Sequence, residues 1–378
     1  MIYCKSIRAN ASRAINLLVV RSLSTSKSRL RPFAAFALAA LGPALALVAC
    51  GPSRGPEVVA ADGVLCDLTQ RLAGSDLQVA CLLQPGDDPH QFHLTPQQSQ
   101  QLQGAQLVLI NGYGLTPALE KQAQALAVAE RAVPDSPKLE APAGKPGESL
   151  ESPSPDADNH AEAGHHHADR DHRGDRDPHV WHDPAQASAM VQLVANQFEA
   201  LQPQASQRIA GRAAAMVAVL QQLDRWNRQQ FATIPAPPSP LATGHRAFAS
   251  LARAYGLREL PVVDSLSSSL SLRPQAFAAV LAQLKRDKVT LFFAESLPAS
   301  KSLQRISALS GVPIAPAPLV ADGLAKGAGL AGAHGNPAQG SSLVATLTAN
   351  TCLIVNGLKG RCDQPGQRRL IQQWGAIP

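Results

Sequence analysis

Residues 203–240 read PQASQRIAGRAAAMVAVLQQLDRWNRQQFATIPAPPSP, and this stretch decides the fold. Pro203 opens a run in which apolar residues recur at helical spacing, through Ala213–Leu223 to about Gln230. The block Pro235-Ala-Pro-Pro-Ser-Pro240 then stops it, because proline lacks the N–H that a helix interior needs. Short apolar strands alternate with helices on both sides of this long helix. Upstream, Val58–Ala60, Leu77–Leu83 and Leu107–Ile110 read as strands. Gly63–Leu72, Thr95–Gln103, Pro117–Ala129 and Ala185–Leu201 read as helices. Downstream, Pro240–Ala242 leads extended to His245, Val289–Ala294 is a strand, and Ile314–Pro316 is extended. Ala247–Tyr255, Pro274–Arg286, Lys301–Ser310, Ser342–Ala349 and Gln367–Gly375 are the helices there. Such alternation predicts βαβ units and parallel sheets. The expected class is α/β, with two lobes separated by one long helix, and 378 residues suffice for two cores.

The formal charge of +6 overstates the basicity of the part that folds. Residues 1–49 carry seven basic residues (Lys5, Arg8, Arg13, Arg21, Lys27, Arg29, Arg31) and no acid, leaving 27 basic against 28 acidic residues beyond them. No basic surplus remains to replace phosphate counterions, which argues against a nucleic-acid partner. The basic stretch precedes an apolar run, Pro32–Val48, and then Leu47-Val48-Ala49-Cys50-Gly51, the order of an export signal. Its end resembles the lipobox of bacterial lipoproteins, with Cys50 as the lipid-modified residue. The apolar run falls short of the roughly 20 residues that a membrane span needs. Of six cysteines, Cys4 and Cys50 belong to the leader. Cys66, Cys81, Cys352 and Cys362 read as disulfides in an exported protein, with three pairings open. Cys352–Cys362 closes a short loop and is the easiest pair to form, which would leave Cys66–Cys81.

Three separate histidines end strand-like runs: His90 in Pro-Gly-Asp-Asp-Pro-His, His179 in Asp-Pro-His-Val-Trp-His-Asp-Pro, and His245 in Thr-Gly-His-Arg-Ala-Phe. Neutral imidazole is the commonest protein ligand for zinc, so widely spaced loop histidines point to one metal site assembled by the fold. From Lys145 to Arg176 the chain has five histidines (His160, His165, His166, His167, His172), eight acids and four bases, with almost nothing apolar to bury. The expectation is a disordered loop, spanning 134–176, that binds zinc weakly at several stoichiometries.

Several blocks resemble the substrate-binding subunits of bacterial zinc and manganese ABC importers, most closely the zinc-specific (ZnuA-type) branch. They are Gly86-Asp-Asp-Pro-His-Gln-Phe92, Ala105-Gln-Leu-Val-Leu-Ile-Asn-Gly112, Asp177-Pro-His-Val-Trp-His-Asp-Pro184, Thr243-Gly-His-Arg-Ala-Phe248, Phe292-Phe-Ala-Glu-Ser296 and Pro318-Leu-Val-Ala-Asp322. The resemblance implies two Rossmann-like lobes joined by a rigid helix, with one metal in the cleft between them. It implies His90 and His179 as ligands from the first lobe, and His245 and Asp322 from the second, with water as the alternative to Asp322. Glu295 would orient a ligand histidine. In the manganese branch the position of His245 carries a glutamate, so imidazole there favours zinc over the harder manganese.

The implied partners are zinc as transported cargo, a membrane permease and its ATPase, with the protein a monomer outside the cytoplasmic membrane, anchored through Cys50. The corresponding division is a signal at 1–50, a first lobe at 51–202, a linking helix at 203–232 and a second lobe at 233–378. Manganese or another divalent metal is the alternative cargo. A zinc hydrolase with Glu295 as base lacks His-Glu-x-x-His and any oxyanion donor, so no enzyme is expected. A zinc store or adhesin centred on the histidine-rich tract is the third reading. Asp177 and Asp183 are expected to hold the His179 ring and cap the next helix. Arg246 and Phe248 read as packing or surface residues. His93 and His182 read as incidental, His182 with a possible part in passing metal from the tract, and His334 as unrelated.

Overall fold

The computed structural model describes residues 55–122, 124–139, 176–262, 274–326 and 341–378. The leader with Cys50, the tract histidines (His160, His165, His166, His167, His172) and His334 lie outside the described residues. Strands β1 (Val58–Ala60), β2 (Val79–Cys81), β3 (Leu107–Ile110) and β4 (Ala125–Ala127) form a parallel sheet in the order β2-β1-β3-β4. A second parallel sheet, in the order β6-β5-β7, contains β5 (Leu241–Thr243), β6 (Glu259–Pro261) and β7 (Phe292–Phe293). The helices are α1 (Gly63–Ala73), α2 (Pro96–Gly104), α3 (Val128–Ala132), α4 (Pro184–Leu201), α5 (Ser206–Phe231), α6 (Ala249–Tyr255), α7 (Pro274–Arg286), α8 (Lys301–Ser310), α9 (Leu343–Gly357) and α10 (Gln364–Gly375).

Successive strand residues point to opposite faces, and here both faces are covered. Val58, Ala60 and Leu109 face a large core shared with α1, α4 and α5, while Val59, Val108 and Ile110 face a smaller one with Leu82, Leu102 and Leu119. In the second sheet Leu241 and Phe293 face one core, and Ala242 and Phe292 the other. Strands apolar on both faces form parallel sheets because helices on each side remove them from water.

Helix α5 is 26 residues long, about 39 Å. Its Ile209, Ala213, Met216, Leu220 and Leu223 lie in the first sheet's core, and Phe231 at its end lies in the second's. Helix α9 does the same, with Leu343, Val344 and Leu347 in the first core and Ile354 and Val355 in the second. Two helices therefore bridge the sheets. From α10, Leu370 and Trp374 return to the first core.

The segment read as a helix over Pro117–Ala129 instead holds turns, then β4 and α3. Pairing of Ala125–Ala127 with Val108–Ile110 overrides the helix propensity of its alanines. Strand β6 went unread; its Pro261 is tolerated because β6 lies at a sheet edge. Helix α9 runs eight residues past the expected end at Ala349, and the strands read as Leu77–Leu83 and Val289–Ala294 shorten to β2 and β7. Of the expected loop over 134–176, residues 134–139 and 176 are described, and there Lys138 bridges antiparallel to Arg176. Disulfides join Cys66 to Cys81 and Cys352 to Cys362, tying α1 to β2 and α9 to the turn before α10.

Candidate metal centre

In an open parallel sheet, side chains in loops beyond the carboxyl ends of strands meet where the strand order reverses. That point lies between β1 and β3 in one sheet and between β5 and β7 in the other. The chain leaving β5 carries Gly244-His245, and that leaving β7 carries Glu295. Glu295 Oε1 accepts from the N–H groups of Gly244 (2.7 Å) and His245 (3.1 Å), and lies 3.5 Å from His245 Nδ1. A Cβ at residue 244 would run into the Glu295 carboxylate and push it off these two N–H groups, so glycine there keeps the bonds intact.

Beyond β2, Asp88 caps a single 3-10 turn, Pro89–Gln91, by accepting from His90 N–H at 2.9 Å. The turn before it is tight, with Gly86 at φ +83° beneath the side chain of Lys326. His179 is held from three sides. Asn111, at the end of β3, donates to the Pro178 carbonyl at 2.7 Å. Asp177 Oδ1 accepts from His179 N–H at 2.9 Å and lies 3.0 Å from ring Nδ1. The other oxygen of Asp177 accepts from both N–H and Oγ of Ser250 on α6, at 3.0 and 2.8 Å. Asp183 then caps α4, accepting from Ala185 N–H.

Asp322 sits in the loop after α8. There Asn350 accepts from Val320 N–H (3.0 Å) and donates to Val320 C=O (2.7 Å), while Thr346 Oγ1 accepts from Ala325 N–H. The Asp322 carboxylate is the meeting point. Its Oδ1 lies 2.9 Å from His179 Nε2 and 3.3 Å from His90 Nε2, and its Oδ2 lies 3.4 Å from His245 Nε2. One ligating atom each from His90, His179 and Asp322 fall within 4.8 Å of one another. Donor atoms about 2.0–2.1 Å from a tetrahedral ion lie about 3.3 Å apart, so these separations suit a shared metal. His90 Nε2 and both ring nitrogens of His245 are buried and make no hydrogen bond among the described residues. Donors of this kind are costly to bury unless a ligand takes them.

Burial disfavours the charged imidazolium of His179, but hydrogen bonds and charge from Asp177 and Asp322 outweigh it and push its pKa up to about 9. His245, likewise buried, is pushed up to about 10 by Asp322 and Glu295. Burial alone would raise the Asp322 carboxyl, yet the three imidazoles hold it well below the usual range. Asp177 Oδ1 accepts from His179 Nδ1–H, which turns Nε2 toward Asp322 as the ring atom that can ligate a metal.

In the sequence His182 reads as incidental or as passing metal from the tract. Instead it is 1% exposed, its Nε2 hydrogen-bonds the Ala321 carbonyl at 3.0 Å, and Phe248 lies against its ring at 4.7 Å between centroids. Burial pushes its pKa down to about 4, so the ring is neutral and Nε2–H donates. His93 is exposed and Arg246 half-buried. Asn111, Ser250 and Asn350 also went unread. Asn111 stands in a visible Ile-Asn-Gly after a strand, whereas nothing local marks Ser250 or Asn350.

Two parallel sheets that send their strand ends toward one cluster of imidazoles and a carboxylate define a two-lobed solute-binding fold. The family described as "Zinc-uptake complex component A periplasmic" (ZnuA) matches residues 58–356, and the chain belongs to it. It is thus a substrate-binding protein of metal ABC transporters, a class without catalytic activity. The manganese ABC transporter substrate-binding lipoprotein PsaA of Streptococcus pneumoniae is 23% identical over 270 residues, 71% of this chain and 81% of that protein. The zinc-binding protein TroA of Treponema pallidum is 28% identical over 251 residues, 64% of this chain and 71% of its own. TroA's solved structure matches with a TM-score of 0.62 at 23% identity, covering 80% of this chain and 99% of TroA. The Fe(III)-bound YtgA of Chlamydia trachomatis matches with a TM-score of 0.64 at 20% identity, over 81% of this chain and 99% of YtgA.

Proposed function

We propose that this chain is the extracytoplasmic zinc-binding subunit of an ABC importer, held to the membrane as a lipoprotein through Cys50. His90, His179, His245 and Asp322 bind one zinc ion as cargo, and a membrane permease with its ATPase receives it. The protein acts as a monomer, with the ion between a first lobe over 51–202 and a second over 233–378. The observation that carries this reading is the donor set. Each of three imidazoles lies 2.9–3.4 Å from one carboxylate, and a borderline-soft ion such as zinc prefers this nitrogen-rich set, whereas manganese prefers oxygen-rich sites. Among relatives, PsaA is named for manganese, TroA for zinc and YfeA of Yersinia pestis for iron, so these metals are the competing cargoes. His160, His165, His166, His167 and His172 form an accessory, weaker set that raises local zinc concentration.

The test is calorimetric titration of residues 52–378 with zinc, then with manganese and ferrous iron, beside His245→Ala and a deletion of 160–172. One tight zinc site that survives the deletion and disappears in His245→Ala is expected. Tighter manganese or iron binding would overturn the choice of zinc. Binding that leaves with the tract but persists in His245→Ala would overturn the site itself.

A further inference from the structure

The loop carrying Asp322 is fastened on one side by α9, through Asn350 on Val320 and Thr346 on Ala325. Between these anchors the carbonyl of Ala321, the residue just before Asp322, meets His182 Nε2 at 3.0 Å. His182 closes the one-turn helix Val180–His182, whose N-cap residue is His179. A rigid turn thus carries a cargo donor at one end and, at the other, a grip on the loop that supplies the opposing donor. The grip is stiff, since Trp181 and Phe248 flank the His182 ring at 5.6 and 4.7 Å between centroids. Both His182 and Ala321 are buried, so water does not compete for the bond.

Resting on the proposed cargo site, we infer that His182 is a positioning residue that sets the spacing between His179 Nε2 and the Asp322 carboxylate before the ion arrives. It does not touch the cargo. It acts through Asp322, holding that carboxylate where the histidines need it, so the ordering cost is met by the fold and not by the ion.

The test uses the intact chain, with zinc affinity measured by competition against a chromogenic chelator and Co(II) absorption as the probe of coordination. His182→Phe keeps the ring and removes the donor. His182→Gln returns an N–H near the position of Nε2. His182→Phe should weaken zinc roughly tenfold, the lower end of what outer hydrogen-bond partners contribute to metal affinity, and should reduce the visible Co(II) bands. His182→Gln should recover most of both. Because the effect passes through Asp322, adding His182→Phe to Asp322→Asn should cost nothing further. Wild-type affinity in His182→Phe, or the same fold-loss in both backgrounds, overturns the inference. If Asp322→Asn alone binds zinc like the wild type, the ligand assignment fails and the inference falls with it. Far-ultraviolet circular dichroism and the melting temperature of each metal-free variant separate these outcomes from a folding defect.

Discussion

Glu259 shows how a residue away from the cluster still reports on its construction. It accepts from the N–H groups of Ala247 and Phe248 at 3.1 and 2.8 Å, which fixes the backbone just after His245. Burial, with the nearby charge of Asp177, pushes its carboxyl up to about 7. An acid raised in the folded state holds its proton there while the unfolded chain has lost it. Its contribution to stability is therefore greatest below its ordinary pKa and fades as pH rises toward 7. Glu259→Gln keeps the acceptor oxygen and removes the titration. Urea unfolding of the metal-free protein should show the variant gaining on the wild type between about pH 4.5 and 7, by roughly 1–3 kcal/mol at the upper end. Parallel curves for the two proteins would contradict the assignment. His90, His179 and His245 were legible because each stands in a recognisable block. Asp177 was legible as a hold on the His179 ring, but Ser250 behind it was not, since the two meet only after 73 residues of chain have folded back.

At the level of elements, legibility followed length and local chemistry. Helix α4 was readable because Asp183 and Pro184 announce its start, and α5 because its apolar pattern runs uninterrupted to a proline block. Strand β4 was not, because three residues of Ala-Leu-Ala carry no period and only pairing with β3 makes them extended. Asn350 and Thr351, just past the expected end of α9 at Ala349, are weak helix formers held in place by tertiary bonds. Asn350 holds both polar groups of Val320, and Thr351 donates to Asn227 on α5 at 3.0 Å. Asn350→Leu fits a helix better but strips both partners from Val320. Chemical denaturation should show a loss of about 1–3 kcal/mol, and zinc titration should show weaker binding as the Asp322 loop loosens. Unchanged stability would mean that water replaces Asn350 at no cost.

For the whole molecule, the two bridging helices matter more than either sheet. Residues Ser53–Pro378 form one compact unit, and α5 and α9 each place side chains in both cores. Zinc should therefore stabilise the protein without reshaping it. At a free concentration 100 times Kd the gain is about 2.7 kcal/mol, a rise in melting temperature of several degrees. Small-angle scattering of the same samples should give an identical radius of gyration with and without the ion. A contraction on loading would show that the two helices bend. The sequence offered one of these braces openly and hid the other, because Ile354 and Val355 reach the second core only beyond the expected end of the helix.

The four donors proposed for the cargo are unequally sealed. The His179 and His245 side chains have no solvent exposure, whereas those of His90 and Asp322 keep 9% and 18%. If the frame stays rigid as expected, this gradient should set a sequence of events. The ion should meet the outer pair first and shed its water stepwise as it sinks to the inner pair. It should leave in reverse, once His90 and Asp322 let go. Stopped-flow release into excess chelator should then run faster in His90→Ala than in His245→Ala when each rate is scaled to that variant's affinity; equal scaled rates would mean that no donor guards the exit. Residence time would in that case belong to two side chains at the rim, leaving the deeper pair to set how tightly the ion is held.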